Sequence, residues 1–333
     1  MEIFKCLKCG STIEGFKPRH CDCGFNMPIV DGVYQFTNDA AIFTECDGLQ
    51  WLGYEHVGEN YEPGYFYSKE AEIIGCSRNL TNYLGEAKIV LDIGAGLGAS
   101  AISFALAGLN VIAADISQAM LVSAVKRARM HKVPDEQIMF ARMNGYKLAL
   151  ADNSVDAVLE VDMLQQVDRP ELVVEEILRV LKPDGCFLQY GGWYYAPYSD
   201  EQQAVNETYN KILNDIQAYY KDALAKTGHI KSPFESWTQI DDILKSNFTL
   251  QTTLEDTGCY DSKDLVWTLA QGLHKTKTRA AGKAQLIPDE THNKAWNKTV
   301  EYAINKYGND YESVYRYYNV RSGIEVYQRY EKA

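Results

Sequence analysis

Strand and helix signals alternate regularly between residues 87 and 192, and this alternation constrains the fold of the 333-residue chain more than any other feature. Short apolar runs rich in β-branched residues are typical of buried parallel strands. Such alternation predicts an open, doubly wound and mostly parallel sheet with helices on both faces. The predicted strands are 88–93, 110–115, 137–141, 154–161 and 186–190, and the predicted helices are 97–108, 117–131 and 170–181.

A glycine-rich turn, within IVLDIGAGLGAS at residues 89–100, joins the first predicted strand to the first helix. Glycine lets the backbone come close to a ligand, and open α/β sheets bind ligands beyond the carboxyl ends of their strands. Asp115 ends the second strand, where a carboxylate can accept both hydroxyl groups of a ribose. The pattern therefore predicts a cofactor that contains adenosine.

Asp92 helps to distinguish the two common cofactors of this kind. A carboxylate just before the turn repels a pyrophosphate but suits a ligand with an ammonium and a sulfonium group. The dinucleotide spacing would place glycine at 99, where this chain has Ala99, and the phosphate-loop ending Gly-Lys-Ser/Thr is absent. These residues favour S-adenosylmethionine over NAD, and a methyltransferase over an oxidoreductase.

From Leu91 to Gln189 the chain resembles the class I S-adenosylmethionine-dependent methyltransferases in four consecutive motifs. These are LDIGAGLG, AADIS, MNGYKLALADNSVDAVL and RPELVVEEILRVLKPDGCFLQ. The resemblance implies a Rossmann-like, seven-stranded and mostly parallel sheet, completed by an antiparallel strand at 320–329. It also implies methyl transfer by in-line displacement, with S-adenosylhomocysteine as product.

The resemblance also implies roles for individual residues. The glycine turn would surround the methionine part of the cofactor, Asp115 would hold the ribose, and Glu160 would face the cofactor near the methyl group. Ile116 and Met120 would lie against the adenine, although both equally suit a plain hydrophobic core. The implied cofactor-binding residues are Asp92, Gly94, Ala95, Gly96, Asp115, Ile116, Met120, Asn144, Gly145 and Glu160.

Four cysteines crowd the first 23 residues in the pattern Cys6-x2-Cys9 and Cys21-x-Cys23. Two such knuckles supply four soft ligands in a tetrahedron, which suits a closed, structural zinc site. The second knuckle is shorter than usual, and His20 stands three residues before Cys23. Either Cys21 or His20 can therefore be the fourth ligand. We expect Cys21, with His20 as the alternative.

The segment GFNMPIVDGVYQF, which follows the cysteines, resembles the hairpin of a known zinc ribbon. That type of ribbon is fused to, or partners, methyltransferases that act on tRNA, rRNA, release factors and small molecules. The resemblance implies a ribbon over residues 1–40.

Aromatic, irregular segments flank the predicted core at 51–75 and 191–203 and predict a lid over a small, partly apolar molecule. The candidate catalytic residues are His56, Tyr65 and Glu160, and Tyr61 and Tyr67 are further lid candidates. The expected domains are the ribbon at 1–40, lid helices at 41–86, the cofactor-binding core at 87–192, a helical cap with later core elements at 193–318, and the final strand at 319–333.

The net charge of −12 and a pI near 5.1 disfavour a nucleic-acid partner, because such binding depends on basic side chains. The sequence shows no secretory signal and no long apolar run, so we expect a cytoplasmic protein without a membrane span. A small-molecule acceptor is the first hypothesis, and the oligomeric state is open, a homodimer included. The alternatives are an RNA or protein methyltransferase that docks its substrate on the ribbon, and a cofactor-binding module without catalysis.

Overall fold

A large mixed sheet forms the centre of the protein. The computed structural model describes residues 2–45, 48–59, 84, 89–195, 198–227, 240–255, 266–279, 284, 287–317 and 320–329. The strands of this part are β1 Glu2–Lys5, β2 Thr12–Glu14, β3 Ile29–Val30, β4 Val33–Gln35, β5 Ile89–Ile93, β6 Asn110–Asp115, β7 Ile138–Arg142, β8 Val155–Glu160, β9 Leu181–Tyr195, β10 Phe248–Glu255, β11 Val266–Thr268, β12 Tyr315–Tyr317 and β13 Val320–Arg329.

Helices connect these strands and form the outer layers. They are α1 Asp39–Glu45, α2 Gly48–Glu59, α3 Ala99–Leu106, α4 Gln118–Met130, α5 Pro170–Val180, α6 Asp200–Ala225, α7 Asp241–Asn247, α8 Leu269–Thr278 and α9 Asp289–Tyr307. None of the helices in the described ranges combines the length and the apolar character that a membrane span requires.

The strand order of the sheet is β10-β13-β9-β8-β5-β6-β7-β4-β3. Strands β5 to β9 pair in parallel, and β13 runs antiparallel between β9 and β10, as the sequence predicts. The α/β fold class and the antiparallel closing strand are therefore confirmed.

The sheet has nine strands in the described ranges rather than the expected seven. The difference comes from the β3–β4 hairpin, because Val33–Gln35 of β4 pairs in parallel with Phe140–Arg142 of β7. Residues that the sequence places in the ribbon thus extend the edge of the core sheet.

Local sequence signals account for several element boundaries. All five residues of β5 are buried, as expected for a central parallel strand. Ser117 caps α4 by accepting a hydrogen bond from the Met120 amide at 3.1 Å, and Pro170 begins α5. Val155 faces Leu181 and Ala157 faces Cys186. Residues 182–185, which lie between the predicted helix 170–181 and the predicted strand 186–190, therefore form an irregularity within one long strand instead of separating two elements.

The first strands dock on the core rather than standing apart from it. Phe4 is fully buried, and its ring stacks on Phe36 with centroids 5.4 Å apart. The Lys5 amide donates to the Ala149 carbonyl at 2.9 Å, and the Ala151 amide donates to the Ile3 carbonyl at 2.7 Å. The cysteine-rich segment therefore shares one hydrophobic cluster with the sheet.

The predicted cap is helical in the described part. Helices α6, α8 and α9 pack around their own hydrophobic cluster, which includes Tyr209, Tyr220 and Trp296. Helix α7 and strand β10 belong to the core instead, because Leu244 and Phe248 join the central cluster.

Candidate active site

A cavity lies at the carboxyl ends of the parallel strands β5, β6, β7 and β8. This is where an open α/β sheet binds ligands. Most of the predicted cofactor residues line it. They are Gly94, Gly96, Asp115, Ile116, Met120, Asn144 and Gly145.

The glycine turn forms one wall of the cavity and needs its glycines. Gly94 and Gly96 have φ angles of 73° and 52°, in the left-handed region that side chains disfavour. A Cβ at Gly94 would also lie 2.6 Å from the Met163 side chain. The Gly94 and Ala95 amides donate to the Ala114 carbonyl of β6 at 2.8 and 3.0 Å, which fixes the turn to the neighbouring strand.

Asp115 ties the turn to the start of α4. One of its carboxylate oxygens accepts from the Gly96 amide at 2.8 Å, and the other accepts from the Ser117 amide at 2.8 Å. Burial raises the pKa of this carboxyl, and these amide hydrogen bonds lower it. The carboxylate is thus held at the cavity wall, where the sequence predicts contact with a ribose.

Asp92 lies behind the turn and does not line the cavity in the described structure. It is only 2% exposed, and burial raises its pKa to about 7. Its Oδ2 atom has no hydrogen-bond partner among the described residues, so a buried acceptor is left over beside the glycine turn. Ala95 does not line the cavity either; it packs on the core, half-buried.

Glu160 is also away from the cavity surface in this part of the chain. The side chain is fully buried, and burial raises its pKa to about 7. Its Oε1 atom accepts from the Met163 and Leu164 amides. Met163 lines the cavity, so Glu160 supports the wall of the cavity from behind; its predicted place near the methyl group stays a prediction.

Asn144 is held between two elements. Its side-chain amide donates to Glu45 Oε2 at 2.8 Å, and its Oδ1 atom accepts from the Tyr146 amide at 2.9 Å. The predicted contact with an adenine amine stays a prediction. The Asn144 Oδ1 atom has a second lone pair that can accept a hydrogen bond from this amine.

Helix α2 covers one side of the cavity with Trp51 and Tyr54, which the sequence marked only as part of an aromatic segment. Glu55 of this helix accepts from the Gln118 amide at 2.7 Å and the Ala119 amide at 2.9 Å. Gly58 lies so close to α4 that a Cβ there would overlap the backbone of Met120. The helix is therefore fixed to the start of α4 by two charge-assisted hydrogen bonds and close packing.

The remaining catalytic candidates cannot be placed. His56 lies in α2, but its side chain is outside the described positions, and Tyr61, Tyr65 and Tyr67 lie outside the described residues altogether. Asp162 is a cavity residue that no sequence signal indicated. It has a left-handed φ of 56°, and its carbonyl accepts from the Gln166 side chain.

The four N-terminal cysteines converge on one point. Their sulfur atoms lie within 4.8 Å of one another, with 3.7 Å between Cys6 and Cys23 and 3.7 Å between Cys9 and Cys21. Tetrahedral zinc with Zn–S bonds of about 2.3 Å needs sulfur atoms about 3.8 Å apart. The cluster includes Cys21 and does not include His20.

Residues 91–189 match the family model described as "Methyltransferase domain". The chain carries a methyltransferase domain. The matched residues run from the strand before the glycine turn into β9, so the domain includes every strand that contributes to the cavity.

Curated methyltransferases and solved methyltransferase structures are similar to part of this chain. A demethylmenaquinone methyltransferase of Clavibacter sepedonicus is 38% identical over 29% of this chain and 38% of its own length. Sterol 24-C-methyltransferase of Saccharomyces cerevisiae is 27% identical over 52% of this chain and 45% of its own length. A methyltransferase structure from Aquifex aeolicus gives a TM-score of 0.35 at 18% identity, covering 44% of this chain and 76% of that one. The chain spans about two fifths of the first curated relatives.

Substitution of Glu55 tests whether α2 is part of the cofactor site. Glu55→Gln keeps one acceptor but loses the charge and one of the two amide contacts, so we expect S-adenosylhomocysteine to bind roughly fivefold more weakly, the equivalent of a lost helix cap. Glu171→Gln removes an exposed acid from the first turn of α5 and serves as the control. Calorimetric titration of both variants and the wild type measures the effect, and equal affinities would contradict the assignment.

The raised pKa of Asp92 predicts how stability changes with pH. The folded state holds the Asp92 proton up to about pH 7, whereas the unfolded chain releases it near its ordinary value of 3.8, so stability falls as pH rises between these values. Urea unfolding from pH 5 to 8 should show a decrease in the free energy of unfolding, of which Asp92 accounts for roughly 2–4 kcal/mol.

Asp92→Asn should reduce this slope without abolishing it, because Glu160 contributes in the same direction. The control is Asp152→Asn. Hydrogen bonds from Lys5 and Arg179 lower the pKa of Asp152 to about 2. The contribution of Asp152 to stability therefore changes with pH only in acidic solution, below the range of this experiment. A wild-type stability that is constant or rises from pH 5 to 8 would count against the buried, protonated Asp92.

Proposed function

We propose that this protein is an S-adenosylmethionine-dependent methyltransferase that methylates a small molecule at an oxygen, nitrogen or carbon atom. One observation carries the proposal: the glycine turn and the Asp115 carboxylate line a single cavity within the matched methyltransferase domain. The turn suits close approach of the methionine part, and the carboxylate suits the ribose hydroxyls.

The residues of the cavity wall, and Asp92 behind it, fit this cofactor. Asp92 places an unpartnered buried carboxylate oxygen beside the turn, and a positively charged ligand would favour its ionised form. Gly94 and Gly96 line the cavity without side chains, so the backbone of the turn is open to a ligand. The ionised Asp92 carboxylate would repel a pyrophosphate, so its position beside the turn disfavours NAD.

S-adenosylmethionine, when bound, supplies a methyl group on a sulfonium, whose C–S bond breaks with its electron pair left on sulfur. The acceptor forms the new bond with its own lone pair or π electrons. The chain's task is to align the acceptor and to exclude water. Trp51 and Tyr54 of α2 and Tyr146 provide aromatic walls for this purpose. A general base is needed only where the acceptor must lose a proton.

The acceptor class is inferred from the walls of the cavity and from the relatives. Aromatic and apolar side chains, among them Leu148, Met163 and Val167, suit a compact, partly apolar molecule. Curated relatives are named for demethylmenaquinone and for a sterol, which supports a small acceptor with an apolar body.

The decisive experiment combines cofactor binding with a transfer assay on the full chain. S-adenosylmethionine and S-adenosylhomocysteine should bind saturably, and Asp115→Asn should weaken both at least tenfold, because hydrogen bonds to a charged group are strong. With methyl-labelled cofactor, label should enter the low-molecular-mass fraction of a cell extract. Absence of cofactor binding would overturn the proposal, and label entering only RNA or protein would favour the macromolecular alternative.

We further propose that the four cysteines bind one structural zinc ion, with Cys21 rather than His20 as the fourth ligand. The sulfur separations support this set, and four protein ligands leave no open position for catalysis. Zinc would hold Cys6, Cys9, Cys21 and Cys23 and thereby fix the segment that docks on the core.

Metal analysis and unfolding test the zinc proposal. We expect one zinc per chain, its loss in Cys9→Ser, and a melting temperature lower by at least about 5 °C, because the ribbon shares its hydrophobic cluster with the sheet. Cys186→Ser, which removes a thiol outside the cluster, should keep the metal. Retention of full zinc in Cys9→Ser, or its loss in His20→Ala, would contradict the ligand set.

A further inference from the structure

A second cleft lies where the cysteine-rich segment, the β3–β4 hairpin and α4 meet. Three cationic side chains line it: Lys17 and Arg19 from the loop between the two knuckles, and Arg129 from the last turn of α4. Asp135 is its one carboxylate among the described lining residues. The cleft is therefore positively charged, in a protein whose net charge is −12.

The three cations are not neutralised within the described part of the chain. None of Lys17, Arg19 and Arg129 forms a salt bridge there. The guanidinium carbon of Arg19 lies 5.9 Å from the centroid of the Tyr34 ring. Lys17 is half-buried; burial lowers its pKa, Asp135 and Glu136 raise it, and the neighbouring charge of Arg19 lowers it. Arg19 and Arg129 are exposed. Cations that repel one another are stabilised by an anion placed between them.

The hairpin contributes to the shape of the cleft and one further polar group. Gly32 has a left-handed φ of 86°, and a Cβ there would lie 3.4 Å from Val125 and 3.9 Å from the Arg129 guanidinium. The Tyr34 hydroxyl is buried and has no hydrogen-bond partner among the described residues. Unpaired buried hydroxyls are uncommon in folded proteins and often indicate a missing ligand or water.

The cleft is separate from the methyltransferase cavity. In the described structure the two share no lining residue: Ile138, Met139 and Phe140 of β7 line the cleft, whereas Met143, just beyond the carboxyl end of this strand, lines the cavity. The three residue steps from Phe140 to Met143 correspond to about 10 Å along a strand. Anion binding in the cleft would therefore leave the cofactor cavity free.

We propose that this cleft binds the phosphate group of a small phosphorylated molecule or free phosphate. Two guanidinium groups and an ammonium group match the charge and the several acceptor oxygens of a phosphate dianion. The described lining holds no basic residue besides these three, and the carboxylate of Asp135 lies among them with Glu136 next in the chain, so a polynucleotide backbone fits less well.

The test uses the full chain and calorimetric titration at constant ionic strength with three probes: inorganic phosphate, glycerol 3-phosphate and a single-stranded RNA oligonucleotide. Arg19→Ala and Arg129→Ala each remove one cation from the cleft. Lys126→Ala is the matched control, because it removes an exposed cation from the same helix outside the cleft.

We expect saturable binding of inorganic phosphate or glycerol 3-phosphate, weakened at least fivefold in both arginine variants and unchanged within twofold in Lys126→Ala. Saturation by inorganic phosphate as well as the ester identifies free phosphate as a sufficient ligand; saturation by the ester alone identifies a phosphorylated metabolite. Absence of binding, equal weakening in all three variants, or binding of RNA alone would overturn the proposal.

Titration of the same variants with S-adenosylhomocysteine separates this proposal from the proposed function. The cofactor affinity should be the same in all of them, which also shows that the variants fold. Failure of the wild type to bind cofactor would count against the methyltransferase proposal. The phosphate titrations would still support or contradict the anion site in the cleft.

Discussion

The carboxylate of Asp115 connects the pieces from which the cavity is made. It ends β6, accepts the Gly96 amide of the turn and accepts the Ser117 amide at the start of α4. The parallel pairing of β5 with β6 brings these groups together, because both strands end at the same edge of the sheet. If this carboxylate moved, the turn, the helix start and the predicted ribose contact would all lose their alignment.

Acidic residues of α1 and α2 attach these two helices to this framework. Asp39 pairs with Arg142 at 2.6 Å, Glu45 accepts from Asn144, and Glu55 accepts two amides at the start of α4. Arg142 ends β7, Asn144 lies just after it, and Gln118 and Ala119 begin α4. Helix α1 is thereby attached near the end of β7 and α2 at the start of α4, which explains how a segment outside the matched domain can form part of its cavity.

The sequence was sufficient for the elements that depend on local patterns. The apolar run of β5, the Ser117 cap of α4 and the antiparallel last strand are confirmed, because burial and capping leave direct traces in residue type. The pairing of β4 with β7 could not be predicted, since edge pairing depends on which surfaces meet in three dimensions. The hydrogen bonds from the Met163 and Leu164 amides to Glu160 could not be predicted either, because a strand end does not reveal which backbone amides lie nearby.

The pairing of β4 with β7 has a consequence for how the molecule behaves among its own copies. An open sheet ends in a strand whose outer amides and carbonyls can pair with another chain. In this protein, residues 29–35 occupy that position on β7, and only the two-residue strand β3 follows. The β3–β4 hairpin thus also protects the core sheet against edge-to-edge aggregation, and a shortened chain that began after residue 35 would expose the β7 edge.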